Sequence, residues 1–261
     1  MYAGSPVFNI TVSRDGKWIV SGTCSGLVTV WNAETHSKVT EFKAHGGWVR
    51  AVDVSPDATK IATGSDDHTA CVWSLSTGER LLGPLKHNNP VAAAKFSPDG
   101  RLIATATWNH DSVRVYDGQN GALLVDFPVQ VYSPYNQSLA WASDGKKLFA
   151  LSKDGYIHHF DVSATTTLSK WRIHSSNGDA RCITLANYGT FIAASAGSSV
   201  SFWDTATREQ VGSVIKYTHV IWSMAMSSNY DLVIGGNHKI TLRTLCDMLP
   251  SHYVDNVSVP A

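Results

Sequence analysis

A chain of 261 residues in which 21 lysines and arginines offset 21 aspartates and glutamates carries no formal excess charge. That balance excludes an electrostatic nucleic-acid footprint or a polybasic membrane surface as the basis of function. At 43% hydrophobic and 16% charged it can bury a sizeable core, yet no run approaches the ~18 uninterrupted apolar residues of a membrane-spanning helix.

The chain opens MYAGSPVFNITVSRDG, which has neither a basic segment nor a long apolar stretch and does not read as a secretory leader. Without export, the sequons headed by Asn9, Asn136 and Asn256 are composition. Cys24, Cys71, Cys182 and Cys246 have no C-x-x-C spacing and read as reduced thiols of a cytoplasmic or nuclear protein.

Six apolar-alternating runs then follow in order. GLVTVWN closes on Trp31, TACVWS on Trp73, SVRVYD on Tyr116, YIHHFD on Phe160, SVSFWD on Trp203 and, more weakly, KITLRT on Leu242. These anchors are 42, 43, 44, 43 and 39 residues apart. A turn and a strand of small residues precede each: SRDGKWIVSG, SPDATKIATG, SPDGRLIATA, ASDGKKLFAL, ANYGTFIAAS and SSNYDLVIGG. A turn, often Asp-Gly, before a strand is hairpin chemistry. The second copy shows the unit, with strands over 49–54, 59–64 and 69–74 and a more variable fourth segment near 79–85.

Helical periodicity is absent, and four short antiparallel strands repeating every 43 residues or so describe a propeller blade. The predicted fold is an all-β propeller of four-stranded antiparallel blades, one domain over 1–261. Its repeats run approximately 5–45, 46–87, 88–131, 132–174, 175–217 and 218–261.

The second copy, H…SPD…TGSDDHTACVW, resembles the WD-repeat β-propeller family, and the likeness extends over residues 5 to 245. That resemblance implies a structural hydrogen-bond chain of His45, Thr63, Asp67 and Trp73. Its chemistry is sound, since a buried indole N–H needs an acceptor and such a chain holds only when every member is satisfied. Asp67 is therefore structural, His68 sits at a turn tip and Cys71 faces a neighbouring blade. Copy three keeps His87, Thr105 and Asp111 with Tyr116. Copy five has His174, Ser195 and Trp203, copy one Ser21, Ser25 and Trp31, and copy four Ser152, Asp154 and Phe160. With one blade fully tied, the ring is expected to rest mainly on apolar packing.

Blade number stays open between a six-bladed ring, a seven-bladed ring with one blade incomplete or missing, and part of a longer chain. The tail 244–261 could supply the last blade's outer strand. An unclosed ring exposes blade edges and invites self-association. The phrasing TGERLLGPLKH…SPDGRLIATA is also similar to repeat arrays attached to fungal NACHT-type receptor proteins.

The residues carry no catalytic, cofactor-binding or metal-ligating pattern. His158 and His159 are adjacent in a strand, so they point to opposite faces and cannot easily chelate one ion. What the resemblance implies instead is a non-enzymatic scaffold binding a protein or peptide through the top face of the ring. By position that face takes Trp48, Arg50, Asp66, Trp108, Asn109, Tyr135, Gln137, Lys153, Asp179, Arg181 and Trp222. Trp, Tyr and Arg dominate interface hot spots, because they bury large rigid area and still hydrogen bond. Recognition of a small ligand or glycan, and a role as the sensor portion of a larger receptor-like protein, are the alternatives.

Overall fold

The computed structural model describes residues 5–108, 112–128, 138–152, 154–173, 180–185, 189–227, 231–236, 239–245 and 249. Blade 1 comprises β1 (Val7–Val12), β2 (Trp18–Thr23), β3 (Leu27–Asn32) and β4 (Lys38–Lys43). Blade 2 comprises β5 (Val49–Val54), β6 (Lys60–Ser65), β7 (Thr69–Ser74) and β8 (Arg80–Lys86). Blade 3 is β9 (Val91–Phe96), β10 (Leu102–Thr107), β11 (Val113–Asp117) and β12 (Leu123–Phe127). Blade 4 is β13 (Leu139–Trp141), β14 (Lys147–Leu151), β15 (Tyr156–Asp161) and β16 (Thr166–Arg172). Blade 5 is β17 (Ala180–Leu185), β18 (Phe191–Ala196), β19 (Ser199–Asp204) and β20 (Gln210–Lys216). Blade 6 has β21 (Ser223–Met226), β22 (Asp231–Gly236) and β23 (Lys239–Thr244). Each sheet is an antiparallel meander in chain order, and together the sheets make a six-bladed β-propeller. Among the described residues the sixth sheet has three strands; most of the tail expected to complete it lies outside them.

The first-to-second-strand turns are built from side chains. Ser13, Ser55 and Ser97 each donate to the aspartate two residues on, and each hydroxyl accepts the N–H of the residue opening or leading into the next strand at 2.9 Å. These are ST-type and Asx-type closures that compete with no ladder bond.

Apolar side chains join the blades. Val20, Val28 and Val30 of blade 1 lie in one buried cluster with Val49, Val52 and Cys71 of blade 2. Similar clusters tie blade 2 to 3, 3 to 4, 4 to 5 and 5 to 6. Each fully buried aliphatic side chain is worth about 1.5–3 kcal/mol, against about 1 kcal/mol net for a hydrogen bond. With three or more such residues per junction, packing contributes more than hydrogen bonding to holding the ring together. Blades approach closely enough that a Cβ on Gly64 would stand 2.7 Å from Val91 Cγ1, so glycine is required there.

Register corrects three sequence landmarks. Ile61 pairs with Trp73, and the equivalent pair in blade 6 is Leu232 with Arg243. The anchor of copy six is therefore Arg243, and Leu242 stands in the place of Val72. In blade 5 Ala194, not Ser195, occupies the place of Thr63, and in blade 4 Ala150, not Ser152, occupies it.

Candidate functional site: a caged arginine on the top face

The start of the first strand meets the second-to-third-strand turn at one end of each sheet. Asp66 N–H donates to Trp48 O at 3.0 Å, Trp108 N–H to Pro90 O at 2.8 Å and Cys24 N–H to Pro6 O at 3.0 Å. Cys24, Asp66 and Trp108 are thus equivalent, which makes Trp108, rather than Asn109, the counterpart of Asp66. This end of the ring is the top face.

Among the described residues four blades carry a bulge near the top of the first strand. The pairing skips Phe8 in β1, Arg50 in β5, Ala92 in β9 and Arg181 in β17. A bulge re-aims the side chain of its extra residue. Trp222 N–H donates to Gly235 O at 2.9 Å, just ahead of the Ser223–Gly235 pair, which puts Trp222 in the same series.

Arg50 is buried and held on every side. Its Nε donates to Asp66 Oδ1 at 2.7 Å and its Nη2 to Asp66 Oδ2 at 2.8 Å. The guanidinium carbon lies 4.6 Å from the Phe8 ring centre, 4.9 Å from Trp48 and 4.6 Å from Trp108. Phe8 and Trp48 also contact each other with centroids 5.9 Å apart. A planar fork matches a carboxylate at two points while its faces stack on rings, which lysine cannot imitate. The cage draws on blades 1, 2 and 3, yet Trp48 and Phe8 stay substantially exposed. Gly47 lets the loop close down, because a Cβ there would sit 2.8 Å from Asp67 N. A second arginine–aromatic pair joins blades 5 and 6, with Arg181 Cζ 4.1 Å from the ring centre of half-exposed Trp222.

Beneath this surface runs a hydrogen-bond chain. Trp73 Nε1 donates to Thr63 Oγ1 at 2.8 Å, and that hydroxyl lies 2.6 Å from His45 Nε2. His45 Nδ1 lies 2.9 Å from Asp67 Oδ2, which makes Nδ1–H the donor to the carboxylate, and the Thr63 hydroxyl also reaches Cys71 O at 3.3 Å. Asp67 also accepts from Thr69 Oγ1 at 2.6 Å and Gly46 N–H at 3.0 Å. Burial by itself would raise the Asp67 pKa, but bonds from His45, Thr69 and Gly46 outweigh it and hold the carboxyl well below the usual range.

Elsewhere the chain is partial. His87 Nε2 lies 3.3 Å from both Thr105 Oγ1 and Tyr116 OH. Trp31 Nε1 reaches Ser21 Oγ at 3.4 Å; in blade 4 Ala150 stands in the place of Thr63, and Ser152, in the place of Ser65, donates to Asp154 within the turn. With Ala194 in the threonine's place, Trp203 Nε1 donates to Ser201 Oγ at 2.9 Å, while Ser195 Oγ accepts from Cys182 N–H.

The structure therefore brings Trp48, Arg50, Asp66 and Trp108 into one cluster, and Arg181 and Trp222 into another. Asn109, Tyr135, Gln137, Lys153 and Asp179 lie outside the described residues, as do Asp111 and His174. Phe8, which the sequence sets in step with Arg50 two places after Pro6 and which could equally have packed between blades, forms a wall of the cage. His158 and His159 pair with Ala150 and Phe149 in successive rungs, so they face opposite sides of the sheet, and both are buried.

A ring of antiparallel sheets with a histidine–threonine–aspartate–tryptophan chain under its top surface defines a repeat propeller. The family model for the WD domain, G-beta repeat, matches residues 2–32, 36–74 and 80–117, the first three blades. By that match the first three blades are WD repeats, and the last three continue the same strand order, as a WD-repeat β-propeller does. No curated protein matches it. Propellers of this family are typically non-catalytic scaffolds for protein interaction. Among the described residues no helix is long and apolar enough to cross a membrane.

Proposed function

We propose that this chain is a non-enzymatic scaffold that binds a protein or peptide partner on its top face, with Trp48, Phe8 and Trp222 as the anchoring side chains. The observation that carries this is three exposed rings, two of them set by one buried arginine. Large aromatics left in contact with water on a rigid frame have little conformational freedom to lose on binding, and they are the residue types of hot spots. Arg50 and Asp66 act here as positioning residues, because the guanidinium's rings and carboxylate already occupy it. Trp108 contributes the third wall of the cage. Arg181 sets Trp222 in the same manner. Asn109, Tyr135, Gln137, Lys153 and Asp179, expected on this face from the sequence, lie outside the described residues and carry none of this reading.

The test compares partners captured from a cell extract by three folded chains: wild type, Trp48→Ala/Trp222→Ala and Leu124→Asp, the last on the exposed outer strand β12. Loss of specific partners from the tryptophan variant alone is the expected result. Partners kept by that variant and lost by Leu124→Asp would move the site to the outer rim and remove this reading. Capture of a glycan or small molecule in place of a protein would replace it with ligand recognition.

A further inference from the structure

Phe8 is 38% and Trp48 44% exposed, although Arg50 lies against both, its guanidinium carbon 4.6 Å and 4.9 Å from the two ring centres. The rings are 5.9 Å apart and inclined at 48° to each other. Their frame is fixed. Phe8 lies on β1, and the Trp48 carbonyl accepts the Asp66 N–H at 3.0 Å. Among the described residues nothing accepts the Trp48 indole N–H.

Charge decides what these rings can receive. An aromatic face attracts a cation, and on Phe8, Trp48 and Trp108 that attraction is already used by Arg50. A second cation would share rings drawn toward a guanidinium. It would also meet Lys43, whose ammonium and the Gly47 carbonyl both stand within 3.0 Å of where a Cβ on Gly26 would be. A sugar needs polar side chains beside the rings to fix its hydroxyls. Here Arg50 Nε and Nη2 and both Asp66 oxygens are spent on each other. What remains is two apolar ring surfaces and one indole donor, which suit an uncharged ligand with a free acceptor.

A proline-bearing segment meets these terms. Its rings are apolar and uncharged, its backbone carbonyls have no internal hydrogen bonds, and its preset φ leaves little freedom to lose on binding. A polyproline II helix rises about 3.1 Å per residue, so the 5.9 Å between the ring centres is the length of about two residues. Aromatic surfaces dock such segments. We propose that Phe8 and Trp48 receive a proline-bearing segment of the partner in polyproline II conformation, with prolines against the two rings and a backbone carbonyl accepting from Trp48 Nε1–H. This rests on the top-face reading and names the chemistry of the partner.

The probe is a phage library of random dodecapeptides, selected on the natural chain and then measured as free peptides against Trp48→Ala and Trp48→Phe. Cooperative melting shows that each variant is folded. The selected peptides are expected to carry two prolines and to be poor in lysine and arginine. Trp48→Ala weakens them at least about tenfold. Trp48→Phe, which keeps a ring and loses the donor, weakens them about fivefold. Replacing their prolines by alanine costs at least about tenfold. Trp48-dependent peptides that lack proline or are rich in lysine and arginine would overturn the proposal and leave the top-face reading standing. Equal binding to Trp48→Phe and the natural chain would overturn it too, since the carbonyl contact would be gone. So would failure to select any peptide, or peptides that bind Trp48→Ala as tightly as the natural chain. In both of those cases partner capture by Trp48→Ala/Trp222→Ala decides the top-face reading separately.

Discussion

Thr63 accepts the indole N–H of Trp73 at 2.8 Å with the same hydroxyl that lies 2.6 Å from His45 Nε2. One buried side chain thereby satisfies a donor on one strand and an acceptor before another. Thr63→Val keeps the shape and removes both bonds, leaving an indole N–H and an imidazole nitrogen unpaired. The expected cost is about 2–3 kcal/mol, read by urea unfolding. Ser21→Ala, which removes a longer bond of 3.4 Å to Trp31, is expected to cost about 1 kcal/mol or less. Equal costs at the two sites would show that the chain in blade 2 adds nothing beyond a single bond.

Asp67 ties the other end of that chain, and its carboxyl is held below its ordinary range. A folded-state pKa below the unfolded value means that the unfolded chain binds more protons at low pH. The stability this carboxylate provides is present above the unfolded carboxyl pKa of about 4 and is lost as pH falls below it. Asp67→Ala is expected to cost about 2 kcal/mol at pH 7 and to flatten the fall in stability below about pH 4. Thermal melts across pH 2.5–7 check both.

Ala58 sits at φ 56°, in the turn position where Gly16, Gly100, Gly145 and Gly189 sit at φ 65–72° in other blades. The left-handed region that glycine enters freely costs an L-residue roughly 1 kcal/mol. Ala58→Gly is accordingly expected to stabilise by up to about 1 kcal/mol, visible as a rise in the denaturant midpoint at unchanged slope. Destabilisation would mean that the methyl group makes a packing contribution larger than the strain.

His159 occupies the blade 4 place of Val72 and Phe202, stacked on Phe149 with centroids 4.6 Å apart. Neither ring nitrogen finds a hydrogen-bond partner among the described residues. Burial, helped by the charges of Lys147 and Arg208, lowers its pKa. The neutral ring is the folded form, so stability falls as pH drops below about 6.5, where the unfolded imidazole gains a proton first. His159→Leu is expected to match or exceed wild type by about 1 kcal/mol at pH 7 and to reduce the loss between pH 6.5 and 5. His158 is shifted the same way by burial, so part of the slope persists.

The propeller was legible because its signal is repetition. Trp31, Trp73, Tyr116, Phe160 and Trp203 keep step without any one motif being decisive. Register failed where that landmark fades. In FIAASA two small residues could each replace Thr63, and a one-residue slip chooses Ser195 over Ala194. In KITLRT the anchor became Arg243, and the apolar Leu242 drew the alignment to itself. Period-2 patterns are exposed to this error, since a slip of one exchanges the two faces. The cage around Arg50 was readable as a set of residue types near the top face. Its closure was not, because a bulge that skips Phe8, Arg50 and Arg181 leaves no mark in composition.

The most direct test of a top-face scaffold is amide hydrogen exchange of the chain with and without a captured partner. Binding at the top face predicts slowed exchange in 46–50, 106–108 and 220–223, the segments that carry Trp48, Arg50, Trp108 and Trp222, with the outer strands β4, β8 and β12 unchanged. Protection confined to those outer strands, with the segments around Trp48 and Trp222 exchanging as in the free chain, would contradict it.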